Sequence, residues 1–286
     1  MLCHHGRVHV DRTHPIAVFD SGVGGLTVLH ECLVWLPHED FVYLGDTARF
    51  PYGGRPPEEL RERSLAVARR LAADGAKMIV VACNSATSAA LPALRAELGD
   101  SVTVLGTVEP AARLAATATR SGRVGLLATP ATVASGAYAE ALAAAAPQAS
   151  LRSVACPKLA PLIQTGDELD SRVVALVDEY CTPLIEADVD TVILGCTHYP
   201  LVRAVLQRAL GRGVTIVSSG QAIADEVERR LADRDIEHDA DRRGSYRFVC
   251  TGDEADFRAL AARSLGLPVA QVDRVEIQEP VGVGTR

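Results

Sequence analysis

The chain has 286 residues, 48% of them hydrophobic and 23% charged, with a formal net charge of −7. That balance belongs to a globular protein with a full core and excludes disordered and collagen-like chains. An acidic chain with 4% aromatic residues does not suit nucleic acid as the main partner, because such partners demand positive charge and stacking platforms. No apolar run approaches the ~18 residues that a membrane helix needs.

The N-terminal stretch MLCHHGRVHVDRTH holds four of the eight histidines. Cys3, His4, His5 and His9 are metal-ligand types, but the stretch reads as a flexible extension over residues 1–15. It lacks the apolar segment of a signal peptide, so the protein is expected in the cytoplasm. From Ile16 onward, short apolar runs alternate with alanine-rich helical patterns. The runs are 16–20, 41–46, 78–83, 102–106, 123–128, 151–156, 191–196, 214–219 and 246–250. None alternates strictly between polar and apolar, as expected of strands buried on both faces. Helical patterns cover 58–74, 168–187 and 221–233, and Pro92 predicts a kink or restart in the helix after residue 83. Strand–helix alternation gives an α/β fold with parallel sheets. Nine strands at this length fit two sheets better than one.

A weak internal repeat points the same way. MIVVACNSATSAALPALRAELGDSVTVLG and TVILGCTHYPLVRAVLQRALGRGVTIVSS both run strand, cysteine, polar residues, helix, strand. All βαβ units look alike, but that does not account for a cysteine at the same place in both.

In parallel sheets, ligands sit beyond the carboxyl ends of the strands. Those ends carry Asp20-Ser21-Gly22-Val23-Gly24-Gly25, Gly45-Asp46-Thr47, Cys83-Asn84-Ser85, Thr129-Pro130-Ala131-Thr132 and Cys196-Thr197-His198. The glycine cluster is no phosphate loop: no GK[ST] follows it, and Asp20 would repel a phosphate. A tight strand-to-helix turn is the plainer account. The seven cysteines include no CxxC pair, so neither a disulfide framework nor a zinc site is indicated. Cys32, Cys156, Cys181 and Cys250 read as small core hydrophobes. Cys83 and Cys196 differ, because polar residues and a helix start follow each one. A helix N-terminus lowers a thiol's pKa, and Asp20 and His198 stand by position to trade protons with the two thiols. Two thiols facing each other across a cleft can remove a proton from one face of a carbon acid and return one to the other, inverting configuration. A redox pair would need Cα atoms roughly 4.4–6.8 Å apart, which a substrate lying between them prevents.

The segments FDSGVGGLTV (19–28), YLGDTARFPYG (43–53), VACNSATSAAL (81–91) and ILGCTHYPLV (193–202) resemble the signature segments of the cofactor-independent aspartate/glutamate racemases. The resemblance implies two similar parallel-sheet α/β domains related by a pseudo-twofold, with the active site in the cleft between them. It places the first domain at 16–106 plus 219–275, the second at 107–218, and a flexible tail at 276–286. Cys83 and Cys196 would be the acid/base thiols, Cys83 for the D- and Cys196 for the L-enantiomer. Asp20 would assist Cys83, and His198 would assist Cys196. Substrate contacts would come from Asp20, Ser21, Tyr52, Gly53, Asn84, Ser85, Thr197 and His198, with Thr129 and Thr132 at the equivalent turn of the second half. Asp46 matches another acidic position, where capping a helix is as good an account as catalysis. The implied activity is glutamate racemisation for cell-wall precursors by a homodimer with no cofactor. A related racemase of aspartate and a non-catalytic small-molecule binding module are the alternatives. Two departures stand out: Ser85 replaces the family's threonine, and Gln164 replaces a glutamate and so cannot exchange a proton.

Only Lys77 and Lys158 are lysines, and neither ends a strand, so pyridoxal phosphate has no evident anchor. Dialysis against a chelator and treatment with a carbonyl reagent are expected to leave racemisation unchanged. A large loss would refute the cofactor-free mechanism.

Overall fold

The alternation of side chains along a strand explains why these runs are apolar throughout. In the strand Ile16–Asp20, Ile16 and Val18 join one hydrophobic cluster while Ala17 and Phe19 join another on the opposite face. Met78 and Val80 against Ile79 and Val81 repeat the division. Both faces are covered, so neither can be polar. Fully burying one such side chain contributes about 1.5–3 kcal/mol.

The computed structural model describes residues 11–99, 101–165, 170–239, 241–265, 269 and 271–278. Cys3, His4, His5 and His9, and the end of the 276–286 tail, lie outside the described residues. The strands are β1 (Ile16–Asp20), β2 (Phe41–Gly45), β3 (Met78–Val81), β4 (Thr103–Gly106), β5 (Arg123–Ala128), β6 (Ser150–Ala155), β7 (Thr191–Gly195), β8 (Thr215–Ser218), β9 (Tyr246–Cys250) and β10 (Val272–Arg274). They form two sheets, ordered β10-β9-β2-β1-β3-β4 and β6-β5-β7-β8, with every pairing parallel. The path β4-β3-β1-β2 in the first sheet is the path β8-β7-β5-β6 in the second. The sequence repeat is therefore β3–helix–β4 matched to β7–helix–β8. Helices Pro57–Ala73, Ser171–Glu186 and Ser219–Arg234 occupy the three periodic stretches.

Three expectations change. β6 is largely exposed, because it forms the outer edge of its sheet. Helix Asn84–Leu98 runs without a break through Pro92: Ala86, Ala90, Leu91 and Leu94 are buried against the first sheet, and that packing outweighs one lost ladder bond. β10, three residues long, was not anticipated.

At the amino-terminal end of β3, Lys77 is buried with its ammonium 2.6 Å from Glu39 Oε2. It also donates to the carbonyls of Arg12 and Ile236, at 2.8 and 2.9 Å. One ammonium thereby ties the start of the chain, the β2 approach and the segment after helix Ser219–Arg234. Lys77→Met leaves the Glu39 carboxylate buried without its partner and is expected to cost about 3–5 kcal/mol in urea unfolding. Lys77→Met combined with Glu39→Leu should recover most of that loss.

Candidate active site

The carboxyl-terminal ends of the two sheets face one another, and the chain is cut away where they meet. A Cβ on Gly24 would lie 2.4 Å from His198 Nδ1 and 2.5 Å from Thr197 Oγ1. One on Gly22 would lie 2.7 Å from Gln164 Oε1, and one on Gly53 would lie 2.7 Å from Thr129 Cβ. The glycine cluster after β1 therefore serves close approach between the halves rather than a phosphate. Polar bonds span the same seam. Thr197 Oγ1 donates to Asp20 Oδ1 at 3.2 Å, and Thr27 Oγ1 donates to the Thr197 carbonyl at 3.0 Å. The Ala131 N–H donates to the Gly53 carbonyl at 2.9 Å. Ser85 Oγ is 2.9 Å from Thr129 Oγ1 and 3.3 Å from Thr132 Oγ1.

Within the seam lies a small cavity of about 70 Å³. Cys83 and Cys196 both line it, as do Ser21, Tyr52, Gly53, Asn84, Ser85, Thr129, Thr197 and His198. Cys83 is the N-cap of helix Asn84–Leu98. Cys196 follows β7, and Pro200 lies in the first turn of the short 3₁₀ segment Tyr199–Val202. Among the described residues, no lysine or arginine lines the cavity. Arg55 instead pairs with Glu59 and donates to the Arg49 carbonyl.

Three of the expected residues stand behind the wall. Asp20 is fully buried, held by the Gly22 N–H at 2.9 Å and by Thr197. Burial raises its pKa above the ordinary carboxylate value, against those hydrogen bonds. Thr132 is bonded to Thr129. Asp46 caps no helix with its side chain. Its carboxylate accepts Arg63 Nε and Nη2 at 2.7 and 2.6 Å, the Tyr52 hydroxyl at 2.5 Å and the Thr251 hydroxyl at 2.7 Å. Burial opposes its charge, but Arg63 and the two hydroxyls hold its pKa below the usual range. Asp46 thus turns the Tyr52 hydroxyl away from the cavity while the rest of Tyr52 lines it.

Asn84 is the unsatisfied member of the wall. Its Oδ1 accepts from the Tyr138 and Thr107 hydroxyls at 2.6 and 3.1 Å, while its buried Nδ2 has no partner. A buried donor left open costs about 1–3 kcal/mol.

The thiols are not lowered as a helix N-terminus alone would suggest. Burial and the nearby Asp20 push Cys83 up to about 12, against hydrogen bonds from Ala86 and Ser21. Burial also raises Cys196, despite the His198 backbone N–H, and the Asp20 charge adds to it. In a closed site desolvation outweighs the helix end. His198 is lowered to about 4 by burial and is therefore neutral near pH 7. Its Nδ1 lies 3.9 Å from Cys196 Sγ and its Nε2 lies 2.9 Å from Gln164 Oε1.

Several lining groups were not singled out from the sequence: Phe50, Pro51, Cys156, Pro157 and Pro161. Cys156 is both buried and part of the cavity wall, so it is more than core filling. The signal was present, because it follows β6 as Cys83 and Cys196 follow β3 and β7. Phe50 sits inside the segment 43–53, and its ring lies 5.4 Å from that of His198.

The sequence profile of the Asp/Glu/Hydantoin racemase family matches residues 35–227. A glutamate racemase of Beutenbergia cavernae is 47% identical over 274 residues, covering 92% of this chain and 94% of its own. Among solved structures, glutamate racemase isoform RacE1 of Bacillus anthracis superposes with a TM-score of 0.88 at 38% identity, covering 92% of this chain and 98% of its own. Glutamate racemase of Francisella tularensis, in complex with D-glutamate, superposes at 0.86 with 27% identity, over 93% and 98%. The fold and site define a racemase. The chain belongs to the Asp/Glu/Hydantoin racemase family.

Gly24→Ala is expected to displace the Thr197–His198 turn and lower kcat/KM about a hundredfold while thermal unfolding stays cooperative. Retained activity would show that the two halves do not need this approach.

Proposed function

We propose that the chain interconverts L- and D-glutamate by a cofactor-independent two-thiol mechanism, with Cys196 deprotonating the L-enantiomer and Cys83 the D-enantiomer. The observation that carries this is a pair of cysteines from equivalent strand ends, β3 and β7, lining one cavity that no lysine or arginine among the described residues enters. A glutamate racemase 47% identical to the chain, and a superposable one at 27% identity in complex with D-glutamate, support the choice of substrate. The product would feed the peptidoglycan precursors that need D-glutamate.

The chemistry follows from desolvation. Both thiols sit above their ordinary pKa in the closed site, so they are protonated near pH 7 and inert. A substrate α-ammonium within ~4–6 Å favours the thiolate, and the displaced thiol proton passes to the helper of that half, His198 for Cys196 and Asp20 for Cys83, so the base is activated when there is a proton to remove. The thiolate takes the α-hydrogen as the opposite thiol delivers its own proton to the other face. Neutral donors hold the substrate carboxylates: the open Nδ2 of Asn84, the hydroxyls of Ser21, Ser85 and Thr197, and the backbone N–H groups at the helix starts. Thr129 stands beside Ser85 on the facing wall.

Circular dichroism of L-glutamate, and separately of L-aspartate, with purified protein tests the assignment. Rapid loss of the glutamate signal is expected. Decay of aspartate alone would move the activity to the related substrate. Cys83→Ser and Cys196→Ser should each lower racemisation by at least about 10³-fold with unchanged thermal unfolding. Near-normal racemisation by either variant would refute the two-base assignment.

A further inference from the structure

His198 is enclosed on every side, and the groups facing it limit what it can do. From its own turn comes Cys196 Sγ, 3.9 Å from Nδ1. From helix Leu159–Thr165 comes Gln164 Oε1, 2.9 Å from Nε2. The Phe50 ring packs on one side, and Gly24 leaves the space that Nδ1 fills. Among the described residues, the other titratable groups nearby are Asp20, reached through Thr197, Cys83 across the cavity, Cys156 beyond β6, and Arg263. Arg263 donates to the main-chain carbonyl of Gln164 and so anchors that residue from helix Glu254–Leu265.

A neutral imidazole carries one N–H, and which nitrogen bears it is set by the partner of the other. Gln164 Oε1 is a pure acceptor, so the proton belongs on Nε2 and Nδ1 keeps its lone pair toward the sulfur. We propose that Gln164 is a positioning residue that fixes His198 as the Nε2–H tautomer, making Nδ1 the base that takes the Cys196 thiol proton. The proposal rests on the two-thiol function above. In the step, the S–H bond breaks and the sulfur keeps its electron pair as thiolate. The Nδ1–H bond forms, and the ring becomes imidazolium with Nε2–H still donated to Gln164. The thiolate then takes the α-hydrogen as Cys83 protonates the opposite face. The cycle closes when His198 loses its proton and Cys83 regains one on product release. The opposite tautomer would aim an N–H at the sulfur and leave nothing to accept the thiol proton.

An amide, unlike a carboxylate, fixes the tautomer without adding a charge that would hold the imidazolium. His198, already lowered to about 4 by burial, therefore gives its proton back readily. Gln164→Glu adds that charge, raises the pKa of His198 and so moves the acidic limb of activity to higher pH.

Nitrogen-15 NMR of histidine-labelled protein, with the signal assigned by its loss in His198→Asn, tests the tautomer without reference to catalysis. A protonated Nε2 and bare Nδ1 are expected at pH 7; a protonated Nδ1 overturns the proposal. Gln164→Leu should scramble the tautomer and lower kcat for L-glutamate about tenfold, the scale of one buried hydrogen bond, with KM within twofold. An unchanged tautomer and kcat overturn it. If Gln164→Leu fails to fold, Gln164→Glu decides: an acidic limb of kcat/KM raised by about one pH unit supports the proposal, and an unmoved limb overturns it. Wild-type protein that washes no solvent deuterium into L-glutamate would remove the two-thiol function itself, and the proposal with it, whatever the tautomer.

Discussion

The two sheets can close on the cavity only because backbone meets side chain at Gly22, Gly24 and Gly53. At each of these positions a Cβ would fall within 2.7 Å of an atom from the second half. Everything chemical in the site depends on that approach. It brings Thr197 to Asp20, Gln164 to the β1 turn and the hydroxyls of Ser85 and Thr129 together. It also excludes water, and exclusion of water sets the protonation states of the thiols, the carboxyl and the imidazole.

Those protonation states form a consistent set. Burial disfavours charge in every case: Cys83 and Asp20 are raised and His198 is lowered. A strongly charged cluster nearby, Asp46 with Arg63, is sealed off by its own hydrogen bonds, and it spends the Tyr52 hydroxyl in doing so. A neutral cavity wall suits a zwitterionic guest that brings its own ammonium and carboxylates, since such a guest supplies the field the site lacks.

Much of the fold was legible because buried parallel strands leave continuous apolar runs. Ile16–Asp20 and Arg123–Ala128 have the limits read from the sequence. β10 escaped because three residues carry no period, and β6 misled because an edge strand can keep apolar residues without burying them. At the site, strand ends followed by polar residues pointed to Cys83, Asn84, Cys196 and Thr197, all of which line the cavity. The same rule would have found Cys156. The direction of the thiol shifts was not legible, because a helix N-terminus is a local feature and desolvation is made by chain from the other half. Nor could the spacing of residues show that Asp46 is consumed by Arg63, 17 positions away.

The matching strand paths have an unlike inventory at their tips. Ser21 in one half corresponds to Thr129 in the other and Ser85 to His198, while Asp20 falls level with Ala128. The scaffold is repeated, but the proton-handling groups are not. Mirror-image substrates have equal free energies in water, so for the proposed reaction the ratio of the two kcat/KM values is fixed at unity by thermodynamics alone. No substitution at Asp20, Gln164 or His198 can favour one direction in that ratio. Unequal helpers can show themselves only by exchanging turnover for saturation: the enantiomer that meets the better-served thiol turns over faster and binds correspondingly more weakly. The direction of net flux is then decided by whatever removes one enantiomer, and the enzyme's own asymmetry decides the concentration at which each direction saturates.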